Sequence, residues 1–226
     1  MILTHGANSI SRGGSHQNEI EIGGRWYPYV QIGNQLWLAE NLDYKFEVNG
    51  SPLPIGSDIW TMPSIPSAWY YDNNEATYGI DGTYRCGLLY NGYATKYLNN
   101  NRATLLPEGW HVPSFDEWNT LISQVGGSSI AGAKLKSINN SITSDWPSNW
   151  NGTDDYGFSG LPSGMVSGAF YHIGYDEYLW TNTTGIIPNT LYGIVLSSAD
   201  SPSIYNAQTL DAAFSIRLVK SVANNN

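Results

Sequence analysis

Hydrophobic and polar positions near the start of the chain separate into short β-like runs. In residues 20–42, IEIGGRWYPYVQIGNQLWLAENL, turn-forming pairs at 23–24 and 33–34 divide three runs rich in β-branched and aromatic residues. Such runs joined by two-residue breaks are typical of β-hairpins. The pattern predicts a meander of two hairpins, followed by an extended, proline-containing loop over residues 49–68.

Helical spacing appears later in the chain. The apolar residues that recur every three or four positions on one helix face are Phe115, Trp118, Leu121, Ile122 and Val125. Ser114 precedes them as an N-cap, Glu117 is its capping-box partner, and residues 126–127 are two glycines that end the helix. A shorter helix is predicted within 128–137, SSIAGAKLKS, where small residues would allow close packing. Residues 86–101, CGLLYNGYATKYLNNN, are expected to begin as a strand and end as a short helix.

The C-terminal third is predicted to form mainly strands. The strand candidates are 168–174 (GAFYHIG), 177–182 (EYLWTN), 191–197 (LYGIVLS) and 214–222 (FSIRLVKSV). The last of them alternates Phe214, Ile216 and Leu218 with their neighbours, which is the period of a half-buried strand. Residues 197–212, SSADSPSIYNAQTLDA, have no period and are interpreted as a loop with outward-pointing side chains. Early helices and late, mostly antiparallel strands predict an α+β fold.

Composition and charge exclude several function classes. Charged residues make up 13% of the 226 residues, whereas Gly (24), Tyr (16) and Trp (9) are frequent. This composition suits an adaptable recognition surface, but a Gly-rich, loop-rich β protein would share it. A net charge of −9 with only ten scattered basic residues argues against nucleic-acid binding. The chain has no run of 18 apolar residues and no apolar stretch in MILTHGANSISRGG, so we expect neither membrane insertion nor a secretion signal.

Candidate chemical groups give no catalytic constellation. His111 lies just before a helix cap and is interpreted as a structural imidazole, and Cys86, the single cysteine, as a buried structural thiol. Asp154 and Asp155 are adjacent carboxylates that suit a turn better than a Ca²⁺ site, although the sequence leaves both open. We therefore expect no enzyme activity, cofactor or resident metal.

Several stretches together resemble the Fibrobacter succinogenes major paralogous domain family. They are VQIGNQLWLAENLDY, CGLLYNGYA, PEGWHVPSFDEWNTLI, AGAKLKS, NGTDDYGFSGLPSG, YLWTNT and FSIRLVK, in this order between Ile20 and Val222. The resemblance implies a C-type lectin-like fold related to formylglycine-generating enzymes, with two helices packed on small, twisted, mostly antiparallel sheets and long Gly-, Pro- and aromatic-rich loops. We assign residues 1–18 to an N-terminal arm or attachment segment and 19–226 to the lectin-like domain.

Members of that family include the variable proteins of diversity-generating retroelements, some of them carried by phages. The resemblance therefore implies a ligand-binding surface diversified through asparagine codons, with a variable region at about 181–213. Lys, Glu, Gln, Met and Trp, which such codons cannot give, supply 30 of the 226 residues but only Gln208 in that region. The expected ligand-binding residues are Ile186, Ile187, Asn189, Val195, Ser197, Ser198, Asp200, Ser201, Ser203, Tyr205, Asn206, Gln208, Thr209 and Asp211.

The implied partner is a protein or glycan receptor on a bacterial surface, and the implied location is the virion, as part of a phage tail, or the cytoplasm of the producing cell before assembly. The oligomeric state is open. Two alternatives remain: an oxidative enzyme of the formylglycine-generating type, which would need a cysteine pair or a copper site, and an invariant structural tail or surface protein. Residues 187–189 (IPN) and 150–152 (WNG) match lectin motifs only in part. The acidic calcium ligands of those motifs are missing, so calcium-dependent sugar binding is disfavoured.

Overall fold

A computed structural model describes residues 18–56, 64–138, 146–147, 150 and 152–222. The predicted N-terminal arm at 1–18 therefore lies outside the described residues except for Asn18. The strands are β1 (Glu19–Ile22), β2 (Arg25–Ile32), β3 (Gln35–Leu38), β4 (Glu47–Val48), β5 (Ser51–Pro52), β6 (Ala68–Trp69), β7 (Leu89–Asn91), β8 (Ser163–Val166), β9 (Phe170–Ile173), β10 (Glu177–Thr184), β11 (Thr190–Leu196), β12 (Ser203–Thr209), β13 (Ala213–Phe214) and β14 (Val219–Ser221). The helices are α1 (Glu75–Tyr78), α2 (Gly92–Asn100), α3 (Arg102–Leu105), α4 (Phe115–Gln124) and α5 (Ala131–Leu135), and Tyr71–Asn73 form one turn of 3₁₀ helix.

These elements confirm an α+β fold. The predicted meander is a four-stranded antiparallel sheet in the order β1-β2-β3-β14, so the strand nearest the C-terminus closes the first sheet. Gly23 and Gly33 have φ angles of 60° at the two hairpin turns, a left-handed conformation that favours glycine. The predicted helices correspond to α2, α4 and α5, whereas the four-residue helices α1 and α3 were not predicted. No helix among the described residues has the length and apolar character needed to cross a bilayer.

The second sheet runs in the order β12-β11-β10-β8-β13-β7-β6, with β9 paired to β8. Two of its interior strands, β10 and β11, are buried on both faces. Trp180 and Val195 enter one hydrophobic cluster, and Leu179 and Ile194 enter the other. Burial on both faces explains why these strands read as continuous apolar runs in the sequence.

The capping box of α4 is confirmed. The Ser114 hydroxyl accepts a hydrogen bond from the Glu117 backbone N–H (3.2 Å), and the Glu117 carboxylate accepts one from the Ser114 backbone N–H (2.8 Å). Close packing at α5 is also confirmed, because a Cβ on Gly132 would lie 2.6 Å from the Asp200 carbonyl oxygen. The Gly132 N–H donates to that oxygen at 2.5 Å. Helix α5 therefore fixes the loop between β11 and β12.

The predicted half-buried strand at 214–222 is wrong. Two short strands, β13 and β14, replace it, and every residue from Ala212 to Val219 is buried. Arg217 is fully buried and donates to Asn41 Oδ1 from Nε (3.0 Å) and Nη2 (2.7 Å). The alternating pattern predicts that Arg217 faces solvent, but its hydrogen-bond partners lie in the core.

Candidate ligand-binding surface

Strand β12 forms an exposed edge of the second sheet. It lies in the segment expected to be a loop, so that expectation is wrong for Ser203–Thr209. Within the described part of the chain β12 pairs only with β11, and four consecutive side chains, Ser203 to Asn206, are exposed. Exposure on both faces removes the period that normally reveals a strand.

The register with β11 divides the side chains of β12 between two faces. Val195 is opposite Ser203, Gly193 opposite Tyr205 and Leu191 opposite Gln208, and residues opposite each other share a face. Ser203, Tyr205 and Gln208 therefore lie on the face of Val195, whereas Ile204 and Thr209 lie on the other. Between the pairs Gly193–Tyr205 and Leu191–Gln208, β11 contributes one residue, whereas β12 contributes two, Asn206 and Ala207. The extra residue makes a β-bulge in β12.

Tyr205 is the exposed aromatic side chain of the first face. Its ring centroid lies 5.9 Å from that of Tyr178 on β10, and 43% of the residue is exposed. The Tyr178 hydroxyl donates to Asp176 Oδ2 at 3.3 Å. Burial, followed by the charge of Asp176, raises the pKa of Tyr178, so its hydroxyl stays protonated near neutral pH. Tyr205 thus stands on a fixed, buried support.

The loop between β11 and β12 is held through its backbone. Lys136 is buried, its pKa is lowered by burial, and its ammonium donates to the Ser197 carbonyl at 2.8 Å. The Gly132 contact described above holds the Asp200 carbonyl. These bonds use main-chain oxygens, so Ser198, Asp200 and Ser201 keep exposed side chains.

The turn between β10 and β11 reaches the bulge of β12. The Ile186 N–H donates to the Asn206 carbonyl at 2.9 Å. Ile186 and Ile187 are 66% and 54% exposed, and Asn189 has a φ of 60°. This turn and β12 therefore form one continuous surface.

Most of the expected binding residues are exposed, and they are distributed over the turn between β10 and β11, both faces of β12 and the loops at its two ends. The exposed ones are Ile186, Ile187, Asn189, Ser198, Asp200, Ser201, Ser203, Tyr205, Asn206, Thr209 and Asp211. Ser197 and Gln208 are half-buried. Val195, also expected to contribute to ligand binding, is buried, because its side of β11 faces the core and it is 3% exposed. Ile204, 49% exposed beside the predicted residues, was missed because nothing local distinguishes it.

The isolated chemical groups have structural roles. His111 lies between the Gly109 carbonyl (2.9 Å from Nδ1) and the Glu117 carboxylate (2.7 Å from Nε2), and the bond to Glu117 is the main cause of its raised pKa. Cys86 is 1% exposed, as expected. Asp154 accepts from the Ser159 N–H (2.8 Å) and hydroxyl (2.7 Å), which confirms the expected turn. No three metal-ligating side chains cluster in the part of the chain that the structure describes.

Comparison with known proteins gives a family match. The family model of the Fibrobacter succinogenes major domain matches residues 30–220. The match begins within β2 and ends within β14, so it includes α4, the whole of the second sheet with β12, and, of the first sheet, β3 with parts of β2 and β14. A search of curated proteins and a search of solved structures gave no match.

Proposed function

The chain belongs to the Fibrobacter succinogenes major domain family, and we propose that it is a ligand-binding protein whose binding surface is carried by β12 and the adjoining turns. We further propose that the scaffold is a C-type lectin-like fold. The chain would act as a phage-encoded variable protein of a diversity-generating retroelement that recognises a receptor on a bacterial surface. It would act without catalysis and without a cofactor.

One observation carries this proposal. Four consecutive side chains, Ser203 to Asn206, are exposed on a strand whose neighbour, β11, is buried. Substitution of exposed side chains usually changes the free energy of unfolding little, whereas the buried strand keeps the backbone in place. A surface of this kind suits a protein that must change its binding residues and keep its fold.

The side-chain chemistry supports recognition rather than reaction. Tyr205 offers a rigid aromatic surface, and Ser203 and Asn206 offer adaptable hydrogen bonds, a combination that is typical of binding surfaces. The single cysteine, Cys86, is buried. A lone buried thiol does not provide the cysteine pair expected of the oxidative relatives.

Binding of the labelled full-length chain to a panel of intact bacterial strains, measured by flow cytometry, tests this function. The triple variant Ser203→Ala, Tyr205→Ala, Asn206→Ala is expected to bind at least about tenfold more weakly. Tyr84→Ala, an exposed aromatic residue distant in sequence, is the matched control and should bind as the wild type does. The proposal fails if the triple variant keeps its binding, or if the wild-type chain binds no strain.

Diversification needs a separate test. Copies of the gene sequenced from one culture are expected to differ mainly at codons for exposed residues of 181–213. Differences spread evenly over the gene would favour the invariant structural alternative.

A further inference from the structure

A shallow, open cleft lies beside β9. The cleft has a volume of about 590 Å³, within the range of roughly 300–1,000 Å³ that is usual for small-molecule sites. Its lining residues, most of which are aromatic, are Tyr71, Trp150, Phe170, Tyr171, His172, Tyr175, Asp176 and Ser198. Of these described residues only Ser198 belongs to the surface proposed above, so this aromatic cleft is a separate feature.

The turn that follows β9 is fixed by its own hydrogen bonds. The His172 carbonyl accepts from the backbone N–H groups of Tyr175 and Asp176, both at 3.0 Å. His172 Nδ1 lies 2.6 Å from Asp176 Oδ2, which makes Nδ1 the donor to the carboxylate. His172 adopts a φ of 64°, a conformation that is uncommon outside glycine. The backbone of this turn and the His172 and Asp176 side chains are therefore held before any ligand arrives.

Two of the aromatic rings that line the cleft are exposed to solvent. Tyr171 and Tyr175 are 45% and 55% exposed. Tyr175 meets Trp150 edge to face at 5.7 Å, and Tyr71 lies 5.0 Å from Phe170. Single exposed aromatic residues are ordinary, but a cluster of them around a concavity is typical of a binding site. Such rings offer flat apolar surfaces for a ligand that also has an apolar face.

Polar groups lie among these rings. Both hydrogen bonds to the Asp176 carboxylate, from His172 and Tyr178, end on Oδ2. In the described part of the chain Oδ1 accepts no hydrogen bond, and His172 and Ser198 line the same cleft. A ligand here can thus meet one carboxylate acceptor, one imidazole nitrogen and one hydroxyl.

The charges of the cleft narrow the ligand class. No Lys or Arg is among the described residues that line the cleft, and the chain carries a net charge of −9, so an anionic ligand is disfavoured. The Asp176 carboxylate is already bound by two donors, so it does not require a cation. A neutral ligand with an apolar C–H face and a rim of hydroxyl groups meets both the rings and the polar atoms.

We propose that the aromatic cleft binds a neutral pyranose residue of a glycan, with Tyr175 and Tyr171 as stacking surfaces and Asp176 as the hydroxyl acceptor. This binding needs neither calcium nor a particular set of residues on β12. The cleft is nevertheless adjacent to that surface, because Tyr178 contacts both His172 (5.8 Å between ring centroids) and Tyr205. A glycan held in the cleft would extend towards β12.

Saturation-transfer difference NMR with the full-length chain tests the proposal, using the methyl pyranosides of glucose, galactose, mannose and N-acetylglucosamine as probes. At least one should receive saturation at its ring protons, and EDTA should leave that signal unchanged. Tyr175→Ala is expected to weaken binding at least about tenfold, whereas Tyr175→Phe, which keeps the ring, should retain it.

The remaining outcomes are equally decisive. The proposal is overturned if no pyranoside binds, if choline chloride binds in their place, or if Tyr175→Ala and Tyr171→Ala both bind as the wild type does. Tyr205→Ala is expected to retain pyranoside binding, and this result separates failure of the cleft from failure of the β12 surface. Thermal unfolding of each variant identifies any loss of binding that is due to misfolding. Because Tyr175 is exposed in a turn, its substitution should not change the unfolding temperature.

Discussion

Arg217 and Glu177 form an ion pair in the core, with Nη2 of the arginine 3.4 Å from Oε1 of the glutamate and neither side chain exposed. The pair joins β10 to the segment that runs between the two sheets. Besides Glu177, Arg217 donates to Asn41 and to the carbonyl groups of Phe158 and Ser159. A buried charge with this many partners specifies how the last residues of the fold are placed.

The first prediction concerns the pH dependence of stability. Burial raises the pKa of Glu177 to about 7, although the charge of Arg217 opposes the shift. In the unfolded chain a glutamate titrates near ~4.3. Between these values the folded chain binds the proton more tightly, so the contribution of Glu177 to the free energy of unfolding should fall as the pH rises from ~4.3 to about 7.

Chemical denaturation of the wild type and of Glu177→Gln at pH 5 and pH 8 measures this effect. The wild type is expected to lose stability relative to the variant as the pH rises, because glutamine does not titrate. Glu108→Gln, which removes an exposed carboxylate, is the control for loss of one charge. A difference between wild type and Glu177→Gln that does not change with pH would contradict the prediction.

The second prediction is that Arg217→Met is strongly destabilising. At pH 8, where a pKa of about 7 leaves Glu177 ionised in the wild type, the substitution removes the cation beside it, and loss of one partner of a buried ion pair typically costs about 3–5 kcal/mol. The double variant Arg217→Met, Glu177→Gln removes both charges and should recover part of that loss. Guanidinium denaturation of the two single variants and the double variant gives the coupling energy. Strictly additive effects would show that the ion pair is not the cause.

Local signals explain what the sequence predicted well. The turn pairs of the meander and the capping box at Ser114 each depend on neighbouring residues, so the local sequence is enough to predict them. Arg217 shows the limit of such signals, because its partners Asn41 and Glu177 are distant in sequence and only the fold brings them to it. The alternating pattern therefore led to the wrong prediction that Arg217 faces solvent.

The same difference between local and long-range signals applies to the β12 surface and the aromatic cleft. Most residues expected to bind ligand are indeed exposed, because a polar segment with no period has little to bury. Its strand, β12, was missed for the same reason. The aromatic cleft combines Tyr71, Trp150 and residues 170–176, which belong to separate parts of the chain. The density of aromatic residues near 170–176 was the only local sign of it.

The third prediction concerns the attachment of the β11–β12 loop to α5. Gly132→Ala would bring a methyl group to 2.6 Å from the Asp200 carbonyl oxygen, which is closer than two such atoms approach. Either the helix or the loop must move, and overpacking of this kind usually costs about 1–3 kcal/mol. Lys134→Ala on the same helix removes a partly exposed side chain and should cost at most ~1 kcal/mol. Thermal unfolding compares the two, and equal effects would show that the close approach of Gly132 is unimportant.

The last prediction tests whether β12 can vary without loss of the fold. Ser203→Ala and Asn206→Ala remove exposed side chains, and each should change the free energy of unfolding by no more than about 0.5 kcal/mol. Ile194→Ala, on the neighbouring strand, removes a fully buried side chain and should cost about 2–5 kcal/mol. Urea denaturation measures all three. If the β12 substitutions cost as much as Ile194→Ala, the strand holds the sheet together through its side chains, and a surface that changes its residues freely could not be built on it.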